Sequence, residues 1–412
     1  MSDLLEYFAT RQAAMADLLG ELVALESPTT DKGAVDRLGS RLAEELRALG
    51  ATLTVDEQET AGNHLIARWA PTPTLPRSQT RGGGDAPSPS PVTMSLRSPA
   101  GSPRAGEGIV LLCHMDTVWD MGTCAQRPCR TEDGRLYGPG AYDMKGGIVI
   151  ALAAMAGLRA LERRPALPVT LLITSDEERG SRTSRDLIER EAARSRVVLC
   201  LEPALSTGAL KTFRKGTGLF HVTALGRAAH AGADHENGVN AIEELALQII
   251  TIQRLTAYHR GTTVNVGLVT GGTRTNVVPE RAECWVDLRV ATREEGERMH
   301  ARLLDLRPNL PGAQVTVTGS LNRPPMERDA RMLATFAHAC AVAAAHGIEL
   351  TQGKSGGGSD ANFTAALGIP TLDGLGAVGN GAHAVDEHVI LSSLPERAAL
   401  LAALLLDDWV TG

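Results

Sequence analysis

Gly108-Ile109-Val110-Leu111-Leu112-Cys113-His114-Met115-Asp116, residues 108–116, decides how this chain reads. The unbroken apolar run predicts a strand buried on both faces, as in a parallel sheet covered by helices. It ends in His-x-Asp. Ligands of open α/β sheets bind just beyond the carboxyl ends of the strands. In extended chain, side chains two apart point the same way, so Asp116 can reach the His114 ring. A carboxylate behind a histidine fixes its tautomer and strengthens it as a metal ligand. An ordinary strand-end histidine followed by a turn aspartate is the competing reading.

The pattern continues outward from that strand. PVTLLIT at 168–174 and VVLCL at 197–201 read as further buried strands, with helical patterns at 146–162 and 181–194. This alternation predicts an α/β fold: a mixed, mostly parallel sheet sandwiched by helices. Upstream, Val35, Leu38, Leu42, Leu46 and Leu49 repeat at helical spacing, and short strands are expected near 52–55 and 64–69. From about 216 the pattern changes. Strand 217–225, helix 238–256, strands 263–270 and 280–290, helix 292–306 and strand 313–319 form an α+β set. Long helices return at 329–346 and 394–408. The parse is one α/β domain, 1–213 and 324–412, interrupted by an α+β domain at 214–323.

A length of 412 residues fits two cores better than one. With 43% hydrophobic and 22% charged residues the composition is that of a globular protein. The net charge of −7 argues against a nucleic-acid binder. No uninterrupted apolar run reaches the ~18 residues that span a bilayer, so no membrane partner is expected. Residues 71–107 hold eight of the 21 prolines and the run Gly82-Gly83-Gly84, and read as a disordered loop between two strands. The opening MSDLLEYFATRQ lacks the features of a secretory signal. The six cysteines are dispersed rather than framework-like. A cytoplasmic protein with reduced thiols is therefore expected.

Four more stretches carry chemistry. YGPGAYDMKGG at 137–147 suits a tightly turned loop that pushes Asp143 into a site. It lacks the spacing of a phosphate-binding loop. In TSDEERGS at 174–181 a strand runs into Asp176, Glu177 and Glu178. Adjacent side chains diverge, so one carboxylate can bind metal while its neighbour serves as a base; capping the next helix is the alternative. LEPA at 201–204 ends another strand in an acid, Glu202, and GAHAVDEHV at 381–389 supplies a distant second histidine. Two histidines with several carboxylates suit divalent metal, and an aspartate that bridges two ions makes a two-metal site.

These stretches, in this order, resemble the M20 family of dinuclear zinc peptidases and deacylases, in its glutamate carboxypeptidase (carboxypeptidase G2-like) branch. So do GRAAHAG at 226–232, GVNAI at 238–242, GGTRTNVVPE at 271–280 and SGGGSD at 355–360. The resemblance implies a zinc-exopeptidase-like catalytic domain and an inserted ferredoxin-like lid and dimerisation domain, hence a homodimer. It implies two Zn²⁺ ions, with Co²⁺ or Mn²⁺ accepting the same donors. His114 and Glu202 would hold one ion, Glu178 and His383 the other, and Asp143 would bridge them across a cis Asp143–Met144 peptide. Asp116 would orient His114, Glu177 would be general base and then acid, and His230 would stabilise the oxyanion in its own or a neighbouring subunit. Asn276, Arg289 and the loop Gly356-Gly357-Gly358 would contact the substrate carboxylate, while His235 and His388 read as structural. The implied reaction is hydrolysis of an amide to release a C-terminal amino acid, on a small peptide or N-acyl amino acid with a free carboxylate. An N-acyl amino acid deacylase, a dipeptidase and an inactive dimeric scaffold are the alternatives.

Overall fold

The computed structural model describes residues 3–70 and 108–409. The disordered-loop expectation for 71–107 therefore lies outside the described residues. Six strands form the central sheet in the order Thr52–Asp56, His64–Trp69, Val169–Thr174, Gly108–His114, Ser195–Cys200, Thr371–Leu372. The first three strands pair antiparallel, and the pairings from Val169–Thr174 onward are parallel.

Strand alternation explains the sandwich. Ile109, Leu111 and Cys113 point into the larger core, with the helices Gly146–Ala160 and Ser393–Leu406. Val110 and Leu112 point the other way, onto Leu187, Ile188 and Phe363. Both faces are thus covered, and the strand needs apolar residues at every position. The helical stretch Ala141–Ala160 is long and apolar enough to cross a membrane, a length the apolar run alone did not suggest. It is the buried central helix of this core.

Residues Gly216 to Arg323 build a second sheet, in the order Thr263–Gly271, Arg281–Val290, Gly216–Leu225, Gln314–Arg323, all antiparallel. With the helices Ala241–Gln253 and Arg293–Leu304 it forms a βαββαβ unit, the ferredoxin-like arrangement. Its own apolar cluster includes Phe220, Val222, Leu245, Val286 and Leu303.

Two element boundaries differ from expectation for local reasons. The helix expected from 181 begins at Arg185. Asp176 holds the preceding loop closed by accepting from the Thr183 amide (2.6 Å), the Thr183 hydroxyl (2.9 Å) and the Ser184 hydroxyl (2.6 Å). The last strand of the second sheet runs on to Arg323 rather than stopping near 319, and so carries Arg323 into the catalytic half.

Candidate metal centre

Parallel pairing puts the strand ends on one edge of the sheet. His114 is in register with Thr174, and Leu112 with Cys200. The chain just past each strand then supplies Asp116, Glu177 and Glu178, and Glu202. A fourth contribution comes from the turn at Asp143, whose peptide to Met144 is cis. The helix that follows starts hard against the neighbouring strand end. A Cβ on Gly147 would lie 2.1 Å from the Leu201 carbonyl oxygen, so only glycine lets Asp143 come this close to Glu202. The fifth contribution, His383, arrives through a small sheet in which His388–Ile390 pairs with Arg135–Tyr137.

The donors fall into two halves that share Asp143. His114 Nε2 lies 3.2 Å from Asp143 Oδ1 and 3.4 Å from Glu202 Oε1. His383 Nε2 lies 3.5 Å from Asp143 Oδ2 and 3.3 Å from Glu178 Oε2. Atoms of His114, Asp143 and Glu178 lie within 4.8 Å of one another. Glu178 Oε1 is buried without a hydrogen-bond partner. An orphaned carboxylate oxygen among imidazoles and further carboxylates is a donor set suited to divalent cations, so the residues present fit a metal pair.

The surrounding residues hold these donors. Asp116 Oδ1 lies 3.4 Å from His114 Nδ1, and the Asp116 carbonyl oxygen 3.0 Å from it. The same carboxylate accepts from the amides of Glu177 and Glu178, both at 3.2 Å, and from the Thr29 hydroxyl at 2.7 Å. Asp116 therefore orients one histidine and also fixes the acidic turn. Glu387, missed by the sequence reading, does the same for Asp143. Its buried carboxylate accepts from the amides of Gly140 (2.9 Å), Tyr142 (3.0 Å) and Asp143 (3.0 Å) and from the Trp119 indole (2.8 Å).

Two buried arginines were also missed. Arg214 donates to Glu202 at 3.0 Å, to Asp373, and to the carbonyls of Gly357 (3.3 Å) and Gly358 (3.1 Å). Arg323 pairs with Glu177 at 2.8 Å and with Asp360 at 2.9 Å. Long cationic side chains are read as exposed by default, so nothing in the sequence flagged either. Glu387 and Asp360 at least lie within stretches that carry other site residues.

The electrostatics follow from this packing. Burial pushes the Glu177 carboxyl well above its ordinary value, against the pull of Arg323 and His114. Burial likewise raises Glu178 to about 7. For His114 burial opposes the charged ring, but Asp116, Asp143 and Glu202 outweigh it and the pKa rises. Hydrogen bonds to Asp143 and Glu178 raise His383 to about 10. Binding a metal requires these groups to give up their protons.

A cavity of about 610 Å³ opens over the cluster, lined by Asp143, Glu177, Glu178, Glu202, His383, Arg289, Gly357 and Gly358. His114 and Asp116 are buried beneath it. Gly356, His230 and Asn276 are not among its lining residues. His230 and Asn276 sit together on the second sheet's side, where the Asn276 carbonyl accepts from the Ala231 amide at 3.0 Å. His230 Nδ1 accepts from the amides of Gly232 (3.1 Å) and Ala233 (3.0 Å), so its Nε2 carries the proton and faces outward as a donor. Arg289 is paired with Asp287 at 2.8 Å, on its own strand.

Comparison with known proteins agrees with this geometry. Residues 110–407 match the model of peptidase family M20/M25/M40. The chain is 30% identical to carboxypeptidase G2 from Pseudomonas sp. (strain RS-16) over 404 residues, 96% of this chain and 89% of the relative. It is 30% identical to a succinyl-diaminopimelate desuccinylase from Rhodospirillum centenum over 300 residues, 68% of this chain and 74% of the relative. The fold also matches the crystal structure of a tripeptidase from Staphylococcus aureus, with a TM-score of 0.71 at 20% identity, covering 97% of this chain and 99% of the other. A two-lobed cluster of histidines and carboxylates at the carboxyl edge of the sheet, and a family match over residues 110–407, place this chain in peptidase family M20/M25/M40 as a metallohydrolase.

Proposed function

We propose that the chain is a two-metal amide hydrolase that releases a C-terminal amino acid bearing a free α-carboxylate. The observation that carries this reading is the shared Asp143. Its two oxygens face different histidines, and each half has its own glutamate. His114, Asp143 and Glu202 would hold one ion, and Asp143, Glu178 and His383 the other. When bound there, divalent ions supply Lewis acidity, lowering the pKa of a water towards ~7 and polarising the scissile carbonyl.

The chain's own groups do the rest. Glu177 is buried at the edge of the cavity with its backbone fixed by Asp116. Its raised pKa suits it to take a proton from water and return it to the departing amine near neutral pH. The guanidinium of Arg289 offers a planar fork for the substrate carboxylate, and the Gly357–Gly358 stretch borders the same space. His230 presents an Nε2 proton suited to an oxyanion, with Asn276 beside it. Since neither lines the cavity of its own chain, we assign both to the cavity of a partner protomer. The exposed apolar residues Ile242, Ile250, Leu268 and Val269 on the lid unit support such a homodimer. All six cysteines are free, in keeping with a reducing, cytoplasmic setting.

Glu177→Gln keeps the side-chain shape and removes the base. Turnover of an N-acyl amino acid by the zinc-loaded variant is expected to fall ~10²–10⁴-fold, the worth of a positioned general base. Metal content measured by atomic absorption should stay at the wild-type level. Near-normal turnover would remove Glu177 from the mechanism. The desuccinylase relative favours a second reading, deacylation of an N-acyl amino acid kept for its amine half. Product analysis on matched peptides and N-acyl amino acids separates the two.

A further inference from the structure

Among the described residues three arginines are buried: Arg214, Arg323 and Arg397, the last only 4% exposed. The first two are balanced by acids, Arg214 by Asp373 and Glu202 and Arg323 by Glu177 and Asp360. Arg397 has no ion pair among the described residues. Its Nη2 donates to the Gly208 carbonyl, while Nε and Nη1 have no hydrogen-bond partner there. Those nitrogens are not sealed in protein. They border a cavity of about 450 Å³ that is separate from the one over the metal cluster, although Ser206 lines both.

A buried guanidinium without a counter-charge is costly. Burial holds Arg397 below its ordinary value, at about 10, with only Glu396 and the Tyr142 hydroxyl working the other way. Holding the Gly208 carbonyl uses one of five N–H donors and needs no charge. The cavity wall is rich in further donors. Ser206, Thr207, Thr351 and Ser392 line it, and their hydroxyls have no hydrogen bond among the described residues. Ser392 also opens the 14-residue helix Ser393–Leu406, whose first turn has no side-chain cap, so the positive end of that helix borders the cavity. Glu349 and Glu396 line it as well, but both are exposed and neither pairs with Arg397. A cation held by those two acids would sit beside an unbalanced guanidinium. An anion set deeper, against Arg397, meets its missing charge.

We propose that this cavity is a binding site for a phosphate group, held by the Arg397 guanidinium and the hydroxyls around it. A tetrahedral oxyanion can accept from a planar guanidinium fork and from several hydroxyls at once. The site does not depend on the amide-hydrolase reading. The phosphate has two sources: the free ion, or the head of a phosphate monoester whose organic part fills the remaining volume.

Calorimetry on the zinc-loaded protein, with inorganic phosphate and phenyl phosphate as probes, tests this. Phosphate also ligates zinc, but that component is common to every variant, so the difference between variants is the reading. The wild type is expected to bind phosphate about 10–100-fold tighter than Arg397→Met, the range of a charge-assisted contact. Arg397→Lys keeps the charge without the fork and should fall between them. Thr207→Asp, at an exposed position, gives Arg397 a fixed carboxylate and should abolish the same binding even if Arg397→Met does not fold. Phenyl phosphate binding at least as tightly as phosphate identifies a monoester, and weaker binding identifies the free ion. Phosphate binding that is unchanged across the variants overturns the proposal. A wild-type crystal soaked in arsenate and measured at the arsenic absorption edge gives an independent reading. A peak beside Arg397 is expected, and a peak at the metal cluster alone overturns the proposal.

Discussion

The two halves of the metal cluster are built differently. The His114 half lies inside the protein: the ring is 2% exposed, Asp116 backs its Nδ1, and Arg214 braces Glu202. The His383 half lies at the surface. That ring is 53% exposed, sits on a loop residue with φ 62°, and has no hydrogen bond to its Nδ1 among the described residues. Its partner Glu178 keeps one oxygen unsatisfied. A metal ligand whose outer nitrogen is held is oriented before the ion arrives, and one without that support must be oriented by the ion. The first half is therefore preformed, and the second adjustable and open to substrate.

Removing the shared ligand should erase the difference between the halves. Asp143→Ala is expected to lose both ions and to lower kcat/KM by ~10³–10⁴-fold or more, several kcal/mol of transition-state stabilisation. Atomic absorption and steady-state kinetics check both. A variant that keeps one tight ion would show that Asp143 belongs to one half only.

Next in size, His383→Ala should retain about one ion per chain and His114→Ala should lose the more tightly held one. In the wild type, graded treatment with a chelator should release the ions in two steps, the exposed half first. Activity is expected to fall by ~10²-fold or more with the first ion, since attack and charge stabilisation use both. Simultaneous release would contradict a difference in preorganisation.

The smallest effect sharpens the comparison by weakening the better half. Asp116→Asn keeps the shape but removes the charge behind His114. Metal affinity there is expected to drop ~10–100-fold, as for other outer-shell partners, bringing the two release steps closer together. Calorimetric zinc titration reads this directly.

How much of this was legible in the sequence follows from the same physics. The strand ends at His114, Thr174 and Cys200 could be read because buried parallel strands need apolar residues throughout, so the first acids beyond them stand out. Asp143 stood out through its flanking glycines and His383 as a distant second histidine, but their places as ligands came only with the family resemblance. Their meeting depends on the pairing of His388–Ile390 with Arg135–Tyr137, which no local pattern announces. Glu387 was missed for the same reason: its four donors lie about 250 residues away along the chain. Arg214 and Arg323 escaped because a sequence marks them as solvent-facing, while their burial comes from the acids and the cavity around them. His230 and Asn276 were named as site residues, yet one chain does not bring them to its own cavity.

The most direct test of the account is a crystal structure grown with zinc and measured at the zinc absorption edge. The account predicts two anomalous peaks bridged by Asp143, one ligated by His114 and Glu202 and the other by Glu178 and His383. A single peak, or peaks that leave Asp143 bound to one ion or none, would contradict it.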